Sequence, residues 1–426
     1  MCDRSFPGAL RHSLAASALG VALLGAGVVH AAEPIPGATL AGIRALVIER
    51  NPELKALAFE VEAMSARERP AGAFPDPMFA IEWRDIDNED PSLNPSRVGA
   101  TAYQFQQTFP LWGKRGLARD AARAATQAAD AEQRARALEL LAEAERAYAR
   151  FWYAAEASVA LDRVIAVLGD IEQLVTARYR TGLVPLQDPL KAQVEITLMQ
   201  RERIALDAQR AEAASTLNRI LDRSPDASLA SPAAMPSLPI PWTLDEVIAQ
   251  VELGHPSVLG AASVIEAARR NRELTYRNRY PDLTVRVSPI QMGDRIATWD
   301  LMLGIEIPLQ QGRRRADEQE ARSMEQAAEM RLAAVRAELR GRAAERYAAW
   351  RSAERQRVLV QDTLLGQAEA SYRAALSSYQ VGAVEFITLL EALREWRAAE
   401  FARFEATRDA LERAADLRAL IGSISP

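Results

Sequence analysis

The chain is one unit written twice, and this constrains its fold more than any local signal does. Laying residues 40–222 over 244–422 repeats one landmark after another. Asn51-Pro52 matches His255-Pro256, Pro75-Asp76 matches Pro281-Asp282, and Phe109-Pro110-Leu111 matches Ile307-Pro308-Leu309. Tyr148 and Phe151 match Tyr347 and Trp350, and Tyr179-Arg180-Thr181-Gly182 matches Tyr379-Gln380-Val381-Gly382. The shift between copies drifts by a few residues, a drift expected to fall in loops. Self-similarity on this scale sets the architecture before any local pattern does. Pro225, Pro232, Pro236, Pro239 and Pro241 mark a linker over 225–242, with the first repeat at 32–224 and the second at 243–426.

The first 31 residues read as an export signal. Arg4 and Arg11 precede an apolar run from Leu14 to Val29, too short for the about 20 residues of a membrane span. Val29-His30-Ala31 ends it with the small residues that a signal peptidase reads. Cys2 lies before the apolar run, so it is not a lipoprotein acceptor. No later stretch has the length and apolarity of a transmembrane helix. An exported chain of this kind is periplasmic, secreted or part of a β-barrel.

The chain has three His and one Cys, and His12, His30 and Cys2 all fall in the expected leader. His255 alone then remains, which excludes a zinc cluster, a Cys nucleophile and a disulfide framework. The net charge of -5 argues against nucleic acid as a partner. Gly113-Lys114-Arg115 lacks the upstream Gly and the hydroxyl of a phosphate-binding loop. No enzyme, cofactor or metal site is therefore expected.

Residues 111–184 and 309–425 contain no Pro and are rich in Ala, Arg, Glu and Leu. Apolar residues recur three and four apart, as at Leu141, Tyr148, Trp152, Ala155 and Val159. A helix from about 113 to 181 would run roughly 100 Å and needs coiled-coil packing. A matching one is expected over 311–381. Shorter helices over 38–70 and 186–221, and over 243–278 and 383–421, add up to the long ones. They are expected to stack end to end, antiparallel beside them.

Between short and long helices, the period becomes two. Phe79, Ile81 and Trp83 alternate with Ala80 and Glu82, and Tyr103, Phe105, Gln107 and Phe109 with Gln104, Gln106 and Thr108. Leu283, Val285 and Val287, and Leu301, Leu303, Ile305 and Ile307, do the same in copy two. Strands of about nine residues cross a bilayer when tilted. Trp83, Phe109, Trp112, Tyr280 and Trp299 are read as strand-end aromatics of a lipid interface. Lys114-Arg115 and Arg313-Arg314-Arg315 oppose the dipole of the helices they open. That leaves two readings, an anionic partner such as outer-membrane lipid or a solvated helix start. Four strands cannot close a barrel, and open edges are not tolerated in lipid, so at least two chains must share one.

The doubled plan, Gln107-Thr108-Phe109-Pro110-Leu111-Trp112-Gly113-Lys114-Arg115, Tyr179-x-x-Gly182 with Asp188, and Tyr379-x-x-Gly382 with Leu389-Leu390-Glu391-Ala392 together resemble the TolC family of outer-membrane efflux proteins. The resemblance covers essentially everything after the leader, and the segment from Phe109 to Arg115 is most similar to the branch that serves heavy-metal cation pumps. It implies a mainly α fold with a membrane β-barrel. Three chains would close a 12-stranded barrel on a long antiparallel α-helical barrel. It implies a passive outer-membrane exit duct for metals or drugs, working with a periplasmic adaptor and an inner-membrane pump. The turns with Tyr179, Gly182, Tyr379 and Gly382 would form the periplasmic tips. Gate positions would fall on Asp188, Thr388, Glu391 and Ile387, with Thr388 a departure from the acidic residue common in the family. Arg178, Arg180 and Arg394 are candidate partners for Asp188. The alternative, a periplasmic coiled-coil adaptor, would show one helical hairpin between Gly-rich β-domains rather than two equal copies.

Overall fold

The computed structural model describes residues 35–89, 91–233 and 240–422; the expected signal peptide and part of the linker lie outside them. Copy one runs α1 (Leu40–Arg50), α2 (Pro52–Ala71), β1 (Met78–Arg84), β2 (Ala100–Phe109), α3 (Lys114–Arg180) and α4 (Gln187–Ile220). Copy two runs α5 (Leu244–Gly254), α6 (Pro256–Arg277), β3 (Leu283–Met292), β4 (Arg295–Ile305), α7 (Gln311–Leu359), a π-turn (Val360–Leu364), α8 (Leu365–Gln380) and α9 (Phe386–Ile421). No helix among the described residues is long and apolar enough to cross a membrane.

The short helix expected at the start of each copy is broken in both, and at the matched residues. Asn51 caps α2, its Oδ1 accepting from Glu53 N at 3.0 Å and Leu54 N at 3.1 Å. Its Nδ2 donates to Ile220 O at 2.9 Å, so one buried side chain joins the end of α4 to the start of α2. In copy two His255 caps α6 through Nδ1, which accepts from Ser257 N at 3.1 Å. Pro follows the cap in both copies, where its missing N–H and fixed φ suit the first helical position. The ends of α4 and α9 each carry a left-handed residue, Asp222 (φ 54°) and Gly422 (φ 77°).

The second long helix also departs from expectation. Phe151 matches Trp350 at a shift of 199 residues, but Tyr179 matches Tyr379 at 200. The extra residue falls inside the helix, not in a loop, and the π-turn at 360–364 absorbs it. α3 has no such turn.

The four strands form one antiparallel sheet in the order β1-β2-β3-β4. β1 is only seven residues long, β3 runs on to Met292, and β4 stops before Ile307. Gly293 (φ 63°) and Asp294 make the two-residue turn of the second hairpin. The two hairpins share one register: Phe79 faces Phe105 as Val285 faces Leu303, and Arg84 faces Ala100 as Ile290 faces Thr298. Shifting copy one by the offset of its landmarks (Asp76 to Asp282, Phe109 to Ile307) generates these pairs.

Three apolar cores hold the helices. Leu40, Ile43, Val47 and Leu54 pack on Leu140, Leu141, Tyr148 and Phe151 with Leu217 and Ile220. Ile240, Val247, Val251 and Val258 pack on Leu339 and Ala343 with Leu417 and Leu420 in the equivalent place of copy two. A third core is shared between copies: Leu161, Val164, Leu168, Ile171 and Val175 of α3 meet Leu389, Leu390 and Leu393 of α9.

Candidate functional site: an amphipathic sheet and two helix-hairpin tips

Alternation places Phe79, Ile81, Phe105, Val287, Leu301, Leu303 and Ile305 on one face of the sheet. Phe79, Phe105 and Val287 face one another in register, and Val287 faces Leu301. Phe105, Leu301, Leu303 and Ile305 are exposed, so no layer among the described residues covers this face. The opposite face carries polar side chains bonded to one another, beside a small buried apolar patch of Ala100, Ala102 and Ile290. Gln104 donates to Glu82, Arg286 donates to Gln106 Oε1 from Nε and Nη2 at 3.0 and 2.7 Å, and Thr108 and Thr284 share a bond at 3.2 Å. β1 and β4 both remain open edges.

The residues assigned to a lipid interface divide. Trp83 closes β1 and Phe109 closes β2, but Trp299 stands mid-strand in β4 opposite Pro289, a correction to its reading as a strand end. Trp112 is exposed, packs against Tyr280 with ring centres 5.1 Å apart and planes tilted by 34°, and donates its indole N–H to Pro281 O at 3.0 Å. Lys114 does not point outward: it is buried, with Nζ 2.8 Å from both Tyr280 O and Asp282 Oδ1. Arg115 donates to Gly72 O at 2.8 Å and lies over the Phe74 ring. These two cations tie the foot of the sheet together, because a charge taken from water needs its own counter-charge or acceptors. Arg313 is exposed, with Asp317 3.9 Å away; Arg314 is half-buried.

The tips repeat one turn. Gly182 N donates to Tyr179 O at 2.9 Å and Leu183 N to Arg178 O at 2.9 Å; Gly382 N and Ala383 N do the same to Tyr379 O and Ser378 O at 3.0 and 2.9 Å. Each is a Schellman closure that needs a left-handed residue, met by glycine at φ 74° and 79°. Their surroundings differ. Tyr379 is 1% exposed, with the Arg178 guanidinium over its ring at 4.7 Å and Phe386 edge-on at 5.9 Å, whereas Tyr179 is 41% exposed. Arg178 also donates to the carbonyls of Tyr379 and Gln380 at 2.9 and 2.7 Å, clamping one tip to the other.

Phe386, Leu389 and Leu390 are buried, Ile387 is half-buried, and Thr388 and Glu391 are exposed. Glu395 extends that exposed stripe at the spacing i, i+3, i+7, which the sequence also held. Asp188 is not on an equivalent face. It is buried between the tips, where burial holds its carboxyl above the usual range, Lys191 pulls it back and Glu385 adds to the rise. Of the three arginines expected beside it, Arg178 is engaged as above, Arg394 pairs with the buried Glu195, and Arg180 is exposed. Thr388 and Glu391 thus share an exposed face of α9, whereas Asp188 is buried on α4.

The family model described as outer membrane efflux protein matches residues 44–223 and 247–423, one match per copy. The structure of the CusC channel is similar with a TM-score of 0.75 at 16% identity, over 90% of this chain and 91% of that one. VceC, an outer membrane protein of Vibrio cholerae, gives 0.73 at 18% identity, over 90% and 96%. The open state of the MtrE outer membrane channel of Neisseria gonorrhoeae gives 0.73 at 19% identity, over 90% and 88%. No curated protein matches the chain. A doubled helix–hairpin–helix plan, a sheet with one bare apolar face and a family match to both copies lead to one conclusion: the chain belongs to the outer membrane efflux protein family.

Proposed function

We propose that three chains close a 12-stranded barrel in the outer membrane, and that their helices continue it into the periplasm as an exit duct. The duct is passive, fed by an inner-membrane pump through a periplasmic adaptor. The carrying observation is the four-stranded sheet with an exposed apolar face, a polar reverse and two open edges. In lipid an apolar outer face is stable and an unpaired edge is not, so the sheet must be completed by further strands. Twelve is the count that three chains supply. An adaptor reading accounts for the helices but leaves this sheet without an environment.

The bare tips suit a constriction. Thr388 and Glu391 lie on the exposed side of α9, beside the half-buried Ile387. Three copies around one axis make a ring of carboxylates, which attracts cations and resists anions. The test is conductance of the purified oligomer in planar bilayers, with mass measured in detergent. A trimer whose conductance rises, or whose block by divalent cations weakens, in Glu391→Ala is expected. A monomer without conductance refutes the duct. A conducting trimer unchanged by the substitution refutes the Glu391 ring alone.

A further inference from the structure

The repeat leaves an asymmetry that identifies what covers the open edges. Faces buried in one copy are bare in the other. Leu390 is 1% exposed because α3 lies beside it; its counterpart Leu190, on α4, is 51% exposed. Tyr379 and Tyr179 differ in the same sense. In each case copy one covers copy two, and the matching face of copy one awaits another copy two. A head-to-tail contact of this kind makes a closed ring when its rotation divides a full turn, as a sealed barrel requires.

The internal contact also gives the register of the missing one. The shifts of 206 residues for the first strand of each hairpin and 198 for the second convert the observed β1–β2 pairs into the observed β3–β4 pairs. Applied to the β2–β3 pairs, they specify a β4–β1 seam. Phe105 opposite Val287 becomes Leu303 opposite Ile81, and Ala102 opposite Ile290 becomes Asp300 opposite Arg84. The second pair is absent from the starting contact, yet it joins opposite charges on the polar face. Both residues are exposed at the sheet edges; within one chain Arg84 pairs with Glu82 at 3.2 Å, and Asp300 of the neighbour joins that pair.

The foot of the sheet extends the match. Asp282 accepts from Leu111 N at 3.1 Å and pairs with Lys114 at 2.8 Å. The same shifts bring Asp76 of a neighbour to Leu309 N. Gly312 occupies the position of Lys114, so Arg313 supplies the cation one residue later. Asp76, Leu309 and Arg313 are all exposed.

We infer that a second copy of this chain docks its β1 on β4 with Ile81 opposite Leu303, held by Arg84–Asp300 on the polar face and Asp76–Arg313 at the foot. Arg313 thereby serves the subunit seam, not lipid. The inference rests on the shared-barrel reading above and adds its register.

Paired cysteines test it in the full-length protein in outer membranes, in a Cys2→Ser background. Directly opposed residues lie about 5 Å apart at Cβ and diagonal ones about 7–8 Å, while a disulfide needs about 4 Å, so oxidation by copper–phenanthroline should link Ile81→Cys/Leu303→Cys about tenfold more than the shifted pairs Phe79→Cys/Leu303→Cys and Trp83→Cys/Leu303→Cys. Arg84→Asp should lower the yield of SDS-resistant oligomer roughly two- to five-fold, and adding Asp300→Arg should restore it. A shifted pair that links as well as the predicted one overturns the register and spares the shared barrel. Failure of all three pairs to link, in protein that reaches the outer membrane, overturns the register, and overturns the shared barrel as well where no SDS-resistant oligomer forms. Failure of the charge swap to restore the oligomer overturns the Arg84–Asp300 contact.

Discussion

His255 and Asn51 show how one structural position accepts two chemistries. Both cap a helix that begins with Pro, and both are buried. Asn offers an acceptor and a donor at any pH, whereas His accepts through Nδ1 only while that nitrogen carries no proton. Burial pushes the His255 imidazole below its ordinary value, opposed by Glu139 and aided by Arg342 and Arg346. The folded state thus holds fewer protons than the unfolded one. The stability this supplies is complete above about pH 6.5 and is lost as pH falls toward the depressed folded value. His255→Asn should flatten the dependence of Tm on pH between about 7 and 5. An undiminished slope in the variant, measured by thermal denaturation in detergent, would place the pH sensitivity elsewhere. Asn51 and His255 were visible in the sequence as a matched pair before Pro. The bond from Asn51 to Ile220 was not, because it joins residues brought together only when α4 turns back along α3.

At the scale of elements, the long helices explain why a single inserted residue matters. Each residue turns an α-helix by about 100°, so an insertion would rotate everything beyond it off its packed face. The π-turn at 360–364 takes up the extra residue and keeps Tyr372 and Tyr379 buried. Deleting Gln361 from that turn should therefore be tolerated, since a regular helix results with both ends in place. Deleting Asp162, the matching residue of α3, should abolish assembly, since Val164, Leu168, Ile171 and Val175 would leave the shared core. Comparing oligomer yield and melting of the two deletions checks this; equal damage would mean that the π-turn has a further role. The sequence held the signal, as a shift of 199 residues becoming 200. It did not say whether a loop or a helix contained the change, because Ala-, Arg- and Glu-rich helices read alike over their whole length.

For the whole molecule, the sheet decides the environment. Phe105 and Leu303 stand exposed on a face that nothing among the described residues covers, a state that water would penalise and lipid would not. Phe105→Arg should cost about 2–4 kcal/mol of barrel stability if the residue reaches the bilayer midplane, and should lower the amount recovered in outer membranes. Gln104→Arg, one residue along on the polar face, should be recovered at the wild-type level. Equal recovery of both variants would show that the Phe105 face does not meet lipid. Charged contacts between copies complete the unit without adding lipid-facing charge: Arg150 pairs with Glu412 at 2.8 Å and Arg397 with Glu202 at 2.6 Å.

Much of this plan was fixed by the order of residues alone. Helix ends at Gly182 and Gly382, caps at Asn51 and His255, and the common register of the hairpins all follow from local chemistry and from two copies that obey the same rules. Tertiary structure decided which of two equivalent side chains is covered. Tyr379 and Tyr179, or Leu390 and Leu190, hold matched places in the two copies and have opposite surroundings in space. It likewise turned Lys114 inward to Asp282 and buried Asp188 between the tips. The reason is physical: conformation is set largely by a residue and those beside it, but burial and charge compensation are set by whatever else the folded chain brings within a few ångströms.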